Sequence, residues 1–357
     1  MLELELSQKL IQRKSITPDN NGCLELIESY LKDFEAHYIN VSDTSNLFLK
    51  YNNGTKHLAF AGHIDVVPVA NNWSVDPFGS VIKDGYLYGR GTNDMKCAIA
   101  CFIAAFLEIK DQLNYSVSLL LTSDEEGPAT HGTREIVKFL KEHNATIDLC
   151  IIGEPTSKEH VGDHIKIGSR GSLNCHIKVH GQTGHVAYPN EAVNPIPIAI
   201  ELSKKLNEWI IDQGNEHFQA SNLELTSIDV GNKATNVIPD FVDIRFNIRF
   251  NDQHTHESLR NKIEFMAKDH EIHFQFCGIP YFSHIEPFKE MLRDAVHPTP
   301  TYFSTNGAAS DGFMIKDLCP CLELGLFYNQ AHQTDERVLL TDITALKEIY
   351  KKILLSF

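Results

Sequence analysis

The chain has no apolar run long enough to cross a bilayer. Its longest candidate, CAIACFIAAFLEI at 97–109, has about 13 residues against the roughly 20 that a spanning helix needs, and reads as a buried helix. The amino terminus, MLELELSQKLIQRKS, alternates charge with leucine and has no apolar signal-peptide core, so a cytoplasmic location is expected. The eight cysteines (Cys23, Cys97, Cys101, Cys150, Cys175, Cys277, Cys319 and Cys321) form no CxxC pair. That argues against a cysteine metal site or a disulfide framework and for small buried hydrophobes in a reducing compartment. Positive charge is scarce. Lysine and arginine number 32 against 47 aspartates and glutamates, a formal charge of −15, which argues against nucleic acid and anionic membranes as partners. Internal repeats and low-complexity tracts are absent as well.

What remains is an ordinary globular composition, 42% hydrophobic and 22% charged. A length of 357 residues exceeds what one core usually supports, so two domains are expected. Helices are expected over Ser7–Ile16, Leu24–Phe34, the stretch after Lys96, and Thr133–His143. Between them HLAFAGHID (57–65), SVSLLLTS (116–123) and IDLCIIG (147–153) read as continuous apolar strands, as a sheet covered on both faces requires. From Gly171 the texture changes. SLNCHIKVHG alternates like a half-exposed strand, and the order strand, helix (Ala192–Ile211), strand, strand, helix (Glu257–Asp269), strand follows. That is a ferredoxin-like split unit. The expected architecture is therefore α/β: a mixed sheet flanked by helices from residues 1–170 and 282–357, with a small α+β domain inserted at 171–281.

Polar side chains with metal-binding chemistry fall just past the three buried strands. His63 and Asp65 follow the first, Glu125 and Glu126 the second, Glu154 the third. In open α/β sheets, ligand sites form beyond the carboxyl ends of strands. Asp94 precedes the buried helix, and His332 lies in NQAHQTDE. Each alone has an ordinary alternative: a hydrogen-bonded histidine, a helix N-cap at Asp94, a turn at GRG, a solvated glutamate pair. Together they match a dinuclear centre. One histidine, a bridging carboxylate and a further carboxylate would hold one zinc; the other histidine, the shared aspartate and a second glutamate would hold another, each with an open position. Successive strand residues point to opposite faces. Glu126 then serves as ligand, and Glu125 is left as general base and proton carrier to the leaving amine. Asp65, two residues after His63, is placed to fix its imidazole tautomer.

With these residues in view, the chain resembles the dinuclear-zinc amidohydrolases, the family of the desuccinylases, acetylornithine deacetylases, aminoacylases and related dipeptidases. The matching stretches are GHIDVVP (62–68), YGRGTNDMK (88–96), TSDEEGPATHGT (122–133), GEPTS (153–157), RGS (170–172), GHVAYP (184–189), NVIP (236–239), SD (310–311) and AHQTDE (331–336). They run through nearly the whole chain, and several are most similar to the desuccinylase branch. The resemblance implies His63, Asp94 and Glu154 on one zinc, and His332, Asp94 and Glu126 on the other, two Zn2+ per subunit with Co2+ or Mn2+ as substitutes. It implies Glu125 as base, a zinc-peptidase-like sheet, and a homodimer formed through the inserted domain. In that dimer His185 reaches the partner's site as an oxyanion donor. Arg170, Ser172, Tyr188, Asn236 and Arg249 match positions lining the acyl and carboxylate pocket.

Departures from the desuccinylase pattern are concentrated on the amine side. Ser169 stands where the pattern has arginine, Ala309 where it has threonine, Tyr328 and Thr235 where it has asparagine, and Cys97 where it has glycine. The expected reaction is metal-dependent hydrolysis of an N-acyl amino acid. N-succinyl-LL-diaminopimelate is the leading substrate and an acetylornithine-type or other N-acyl amino acid the alternative. From another class, the alternative is a non-catalytic dimeric binding homologue.

Overall fold

The computed structural model describes residues 1–307 and 310–357; Ala308 and Ala309, and with them one departure from the desuccinylase pattern, lie outside the described residues. The chain divides into two compact units. One comprises Met1–Ile167, Ser283–Ser304 and Ser310–Phe357, the other Gly168–Phe282 with a short segment from Thr305.

The first unit is built on an eight-stranded sheet. Its order is 35–38, 46–51, 116–122, 57–63, 149–152, 321–323, 164–166, 302–304. The central strands His57–His63 and Ser116–Thr122 are buried at every residue and run parallel, with His63 level with Thr122. Leu149–Ile152 runs parallel on the other side of the first. Helices cover both faces. Phe60 stacks on Phe102 of helix Lys96–Ile109, ring centroids 4.3 Å apart, and meets Tyr350 of helix Leu340–Ser356 edge-on. On the opposite face Phe48 packs on Phe139 of helix Thr133–Glu142. Parallel strands need this double cover, because neither face of them meets water. No helix among the described residues is long and apolar enough to cross a membrane.

The first helix spans Leu2–Ile11, about a turn earlier than the sequence pattern suggests. It buries Leu6, Leu10 and Ile11. The buried Lys96 ammonium takes the carbonyls of Leu10 and Arg13 at 3.0 and 2.8 Å, so terminal carbonyls that a longer helix would use are engaged by a side chain. Pro195–Asn207 is likewise shorter than Ala192–Ile211, because the Asn194 side chain accepts from the Ile196 amide and Pro195 opens the first turn.

The second unit has the order strand–helix–strand–strand–helix–strand. Its antiparallel sheet runs 222–229, 241–250, 171–180, 271–278. Leu173, Cys175, Ile177 and Val179 join Val242, Ile244, Phe246 and Ile248 in a core with Ala199, Leu202, Leu206, Leu259 and Ile263 of its two helices. The other face of the two central strands carries Ser172, Asn174, His176 and Lys178, in register with Arg249, Asn247, Arg245 and Asp243.

Candidate metal centre

Three strand ends and two loops deliver the acids and histidines of the first unit. His63 closes His57–His63, Glu125 and Glu126 follow Ser116–Thr122, and Glu154 follows Leu149–Ile152. Asp94 sits on the loop entering helix Lys96–Ile109. That loop comes down onto the sheet because its Met95 side chain lies over Gly62 and Gly153. A Cβ at either glycine would stand 2.5 Å from Met95 Cε, so a side chain before His63 or before Glu154 would push the methionine tip aside. His332 follows the turn Tyr328–Gln330 at a positive φ of 61°, a region that non-glycine residues enter uncommonly.

His63 Nε2 lies 3.1 Å from Asp94 Oδ1 and 3.6 Å from Glu154 Oε1. His332 Nε2 lies 3.4 Å from Asp94 Oδ2 and 2.9 Å from Glu126 Oε1. Two ligand atoms at ordinary zinc distances, spread at the tetrahedral angle, are separated by roughly 3.3 Å. Both triads fit a cation by that measure, and both meet it with mixed nitrogen and oxygen donors. Asp94 turns one oxygen to each histidine, so a single carboxylate serves two groups. Among the described residues, His63–Asp94–Glu154 and Asp94–Glu126–His332 are the groupings whose donors converge in this way.

Asp65 supports both halves. Its backbone carbonyl accepts from His63 Nδ1 at 2.9 Å, leaving the Nε2 lone pair free for a metal. Its carboxylate lies farther from that nitrogen, at 3.6 Å, and instead accepts the amides of Glu125 and Glu126 at 3.2 and 3.1 Å. The tautomer contact is thus the main chain of Asp65, while its side chain sets the turn that aims the glutamate pair.

Burial first, then the charge of Glu154, holds the Glu125 carboxyl well above the usual range, with Asp311 and Glu126 adding to it. Glu154 is raised by burial and by Asp94. Burial opposes protonation of His63, and the surrounding Asp94, Glu154 and Glu125 outweigh it, raising its pKa well above the usual value. Hydrogen bonds that the His332 ring donates to Asp94 and Glu126 raise its pKa to about 10. Crowded carboxylates that draw protons onto both imidazoles form a site with an excess of negative charge, which cations would neutralise.

A family model described as peptidase family M20/M25/M40 matches residues 59–356. The chain belongs to that family. Succinyl-diaminopimelate desuccinylase of Ehrlichia canis (strain Jake) is 42% identical over 99% of this chain and 98% of its own. The protein of that name from Parvibaculum lavamentivorans is 41% identical over 99% and 95%. Among solved structures, an M20 family metallo-carboxypeptidase from Sulfolobus solfataricus superposes with a TM-score of 0.81 at 16% identity, covering 99% of this chain and 98% of that one. A tripeptidase from Staphylococcus aureus gives 0.81 at 20% identity, with 99% and 97% covered; these two show the fold. The M20-family chain is a metal-dependent hydrolase.

The remaining site residues named from sequence lie in the second unit of this M20-family chain, in two clusters. The Arg170 guanidinium donates to the Ala220 carbonyl and Asn222 Oδ1 at 2.9 and 2.8 Å. Burial and the nearby Arg249 charge lower its pKa. Ser172 is level with Arg249, and its hydroxyl accepts from Asn247 at 3.0 Å. In the second cluster, strand Gly184–His185 pairs with Val237–Ile238. The Val186 amide donates to the Asn236 carbonyl, and the His185 and Tyr188 rings lie 5.8 Å apart. The Ala187 amide donates to His185 Nδ1 at 3.1 Å, which puts the proton of the neutral ring on Nε2. Of the departures, Ser169 is buried with a hydroxyl that has no partner among the described residues, Cys97 is buried in its helix, and Tyr328 is half exposed.

Two acids of the first unit had no role in the sequence reading, although Asp311 closes the quoted SD (310–311). Asp311 accepts from the Thr133 hydroxyl and adds to the field on Glu125. Glu323 receives the Lys166 ammonium at 2.8 Å and the Ser310 hydroxyl, and its charge helps raise Glu154. Glu323 closes Cys321–Glu323, which runs parallel to Leu149–Ile152, so the strand-end rule that found the other acids applies to it as well.

Proposed function

We propose that the chain hydrolyses the amide of N-succinyl-LL-diaminopimelate to succinate and diaminopimelate, on the route to lysine and peptidoglycan precursors. The observation that carries the reaction class is the division of Asp94 between His63 and His332. The full-length relation to proteins named succinyl-diaminopimelate desuccinylase supports the substrate. In this reading His63, Asp94 and Glu154 hold one Zn2+, and His332, Asp94 and Glu126 hold a second, with Co2+ or Mn2+ accepted in its place. Bound there, the cations supply Lewis acidity toward the scissile carbonyl and lower the pKa of water.

The protein supplies the rest. Glu125, kept basic by its buried and acidic surroundings, takes the proton of the attacking water and returns it to the leaving amine. Asp65 keeps His63 and the glutamate pair in place. The chain works as a homodimer formed through the inserted unit 171–281. The partner subunit's His185, with its proton on Nε2, donates to the oxyanion of the tetrahedral intermediate. Arg170, Ser172 and Arg249 hold the succinyl carboxylate, two arginines and a hydroxyl being suited to that anion; Asn236 and Tyr188 line the acyl side. The enzyme acts in the cytoplasm, where its free thiols stay reduced.

The test is release of free amine from N-succinyl-LL-diaminopimelate, N-acetylornithine and other N-acyl amino acids by purified protein with Zn2+. Preference for the succinylated substrate is expected. The changes at Ser169, Ala309 and Tyr328 favour a different amine as the second reading. Brisk turnover of another acyl amino acid with none of the succinyl compound would replace the substrate and keep the reaction. Inertness toward all of them, with metal bound, would leave a binding homologue.

A further inference from the structure

Asp94 and His332 are the two ligands that no strand end carries. They sit on separate loops, and one buried carboxylate joins those loops. Glu336 is fully enclosed and faces donors from five successive residues. Its Oε2 accepts the Arg90 guanidinium at 2.7 Å and the Gly91 amide at 3.0 Å. Its Oε1 accepts the Asn93 amide at 2.8 Å, the Asp94 amide at 3.3 Å and the Thr92 hydroxyl at 3.3 Å. The chain that presents Asp94 is wrapped around an anion, in the manner of a backbone nest. Arg90 then reaches back to the other loop. Its Nη1 donates to the Gln333 carbonyl at 3.3 Å and its Nη2 to the His332 carbonyl at 3.4 Å, while the guanidinium lies over the Trp73 ring. Neither Arg90 nor Glu336 belongs to a converging donor group.

We infer that Arg90 and Glu336 are positioning residues that set the separation of Asp94 and His332, and that they act unequally on the two cations. His63 and Glu154 are fixed by the sheet, so their group needs only Asp94 brought to it, which is the work of Glu336. The other group also needs His332, which is half exposed on a loop at positive φ and is held through its carbonyl by Arg90. The guanidinium fork spans Glu336 and two carbonyls at once. A lysine could keep the ion pair but not the fork. A glutamine at 336 would set an NH2 against backbone amides or the guanidinium, which cannot accept from it, leaving the Thr92 hydroxyl at 3.3 Å as the one group there able to accept.

The inference rests on the two-cation reading and is tested by cobalt binding, apart from turnover. Metal-free, full-length protein is titrated with Co2+ and followed by visible absorption and calorimetry. His332→Ala shows which of the two wild-type steps belongs to its group. Arg90→Lys is expected to weaken that step by about 10–100-fold, the usual cost of losing a ligand's support, and to leave the other step unchanged. Glu336→Gln is expected to weaken both. Two wild-type steps that persist unchanged in Arg90→Lys would overturn the inference alone. Equal weakening of both steps in Arg90→Lys would also overturn it, since that is what general loosening gives. A single step in the wild type would remove the two-cation reading and the inference together. Arg90→Lys keeps charge and most of the packing, so the test stands even where Glu336→Gln does not fold.

Discussion

The two units use the same side chains for opposite ends. On the sheet of the second unit His176 meets Asp243 at 2.7 Å, and Glu271 meets both His273 at 2.7 Å and His180 at 3.1 Å. Of these contacts, the two at 2.7 Å are shorter than the 2.9 Å between His332 and Glu126 in the candidate metal centre. They are spread over a flat antiparallel surface, His180, His273 and Glu271 are exposed, and water screens them. In the first unit the acids and histidines come from parallel strand ends and two loops, their donor atoms converge in two groups that share Asp94, and burial magnifies the charges. Composition and pair distance do not separate the two regions; convergence and desolvation do.

The sharpest way to break the comparison is Asp94→Ala. Both donor groups share this residue, so metal affinity should fall by more than the roughly 10–100-fold expected for a supporting residue, and turnover should vanish. Elemental analysis after dialysis checks it; retention of two cations would contradict the bridging role. Glu125→Gln should lower turnover by about 10²–10⁴-fold, the usual worth of a general base, with both metals still bound. Normal turnover would make Glu125 another surface acid, no different from Glu271. Arg249→Met should reduce kcat/KM for the succinylated substrate by about 10–100-fold, as expected for a hydrogen bond to a charged group, and have less effect on an acetylated one.

A smaller effect sits at Asp311, whose carboxyl burial pushes from 3.8 to about 6. An acid with a raised folded pKa gives up its proton more readily in the unfolded chain. The metal-free fold therefore loses stability as pH rises from about 4 to about 6, on the order of 2–3 kcal/mol. Asp311→Asn should remove the share of that slope that Asp311 contributes and leave the share from Glu125 and Glu154, and urea midpoints at several pH values in the metal-free protein measure the difference. A wild-type slope in the variant would assign the loss to another acid. At the bottom of the scale, His273→Gln should change stability by less than about 0.5 kcal/mol and metal content not at all. A lost cation in that variant would mean the sheet surface is a site after all.

How far the sequence reached can be judged from particular residues. HLAFAGHID and SVSLLLTS are legible because parallel strands buried on both faces must be continuously apolar, and the acids just past them are legible because such ends point to one edge of the sheet. Asp65 was placed near His63 by spacing alone, but spacing could not tell that the carbonyl meets the imidazole while the carboxylate holds the glutamate amides. Glu336 was one acid in a quoted motif, and nothing local marks it as the anchor of a loop some 240 positions earlier.

The sequence alone therefore determined the periodicities, the buried strands, the order of the inserted unit and the kinds of ligand available. Those are local properties, written in runs of a few residues. Only the tertiary structure decided which oxygen of Asp94 faces which histidine, and which of many histidine–acid pairs converge. Those choices depend on angles and distances between segments far apart in the chain, and on how much water each segment displaces from the other.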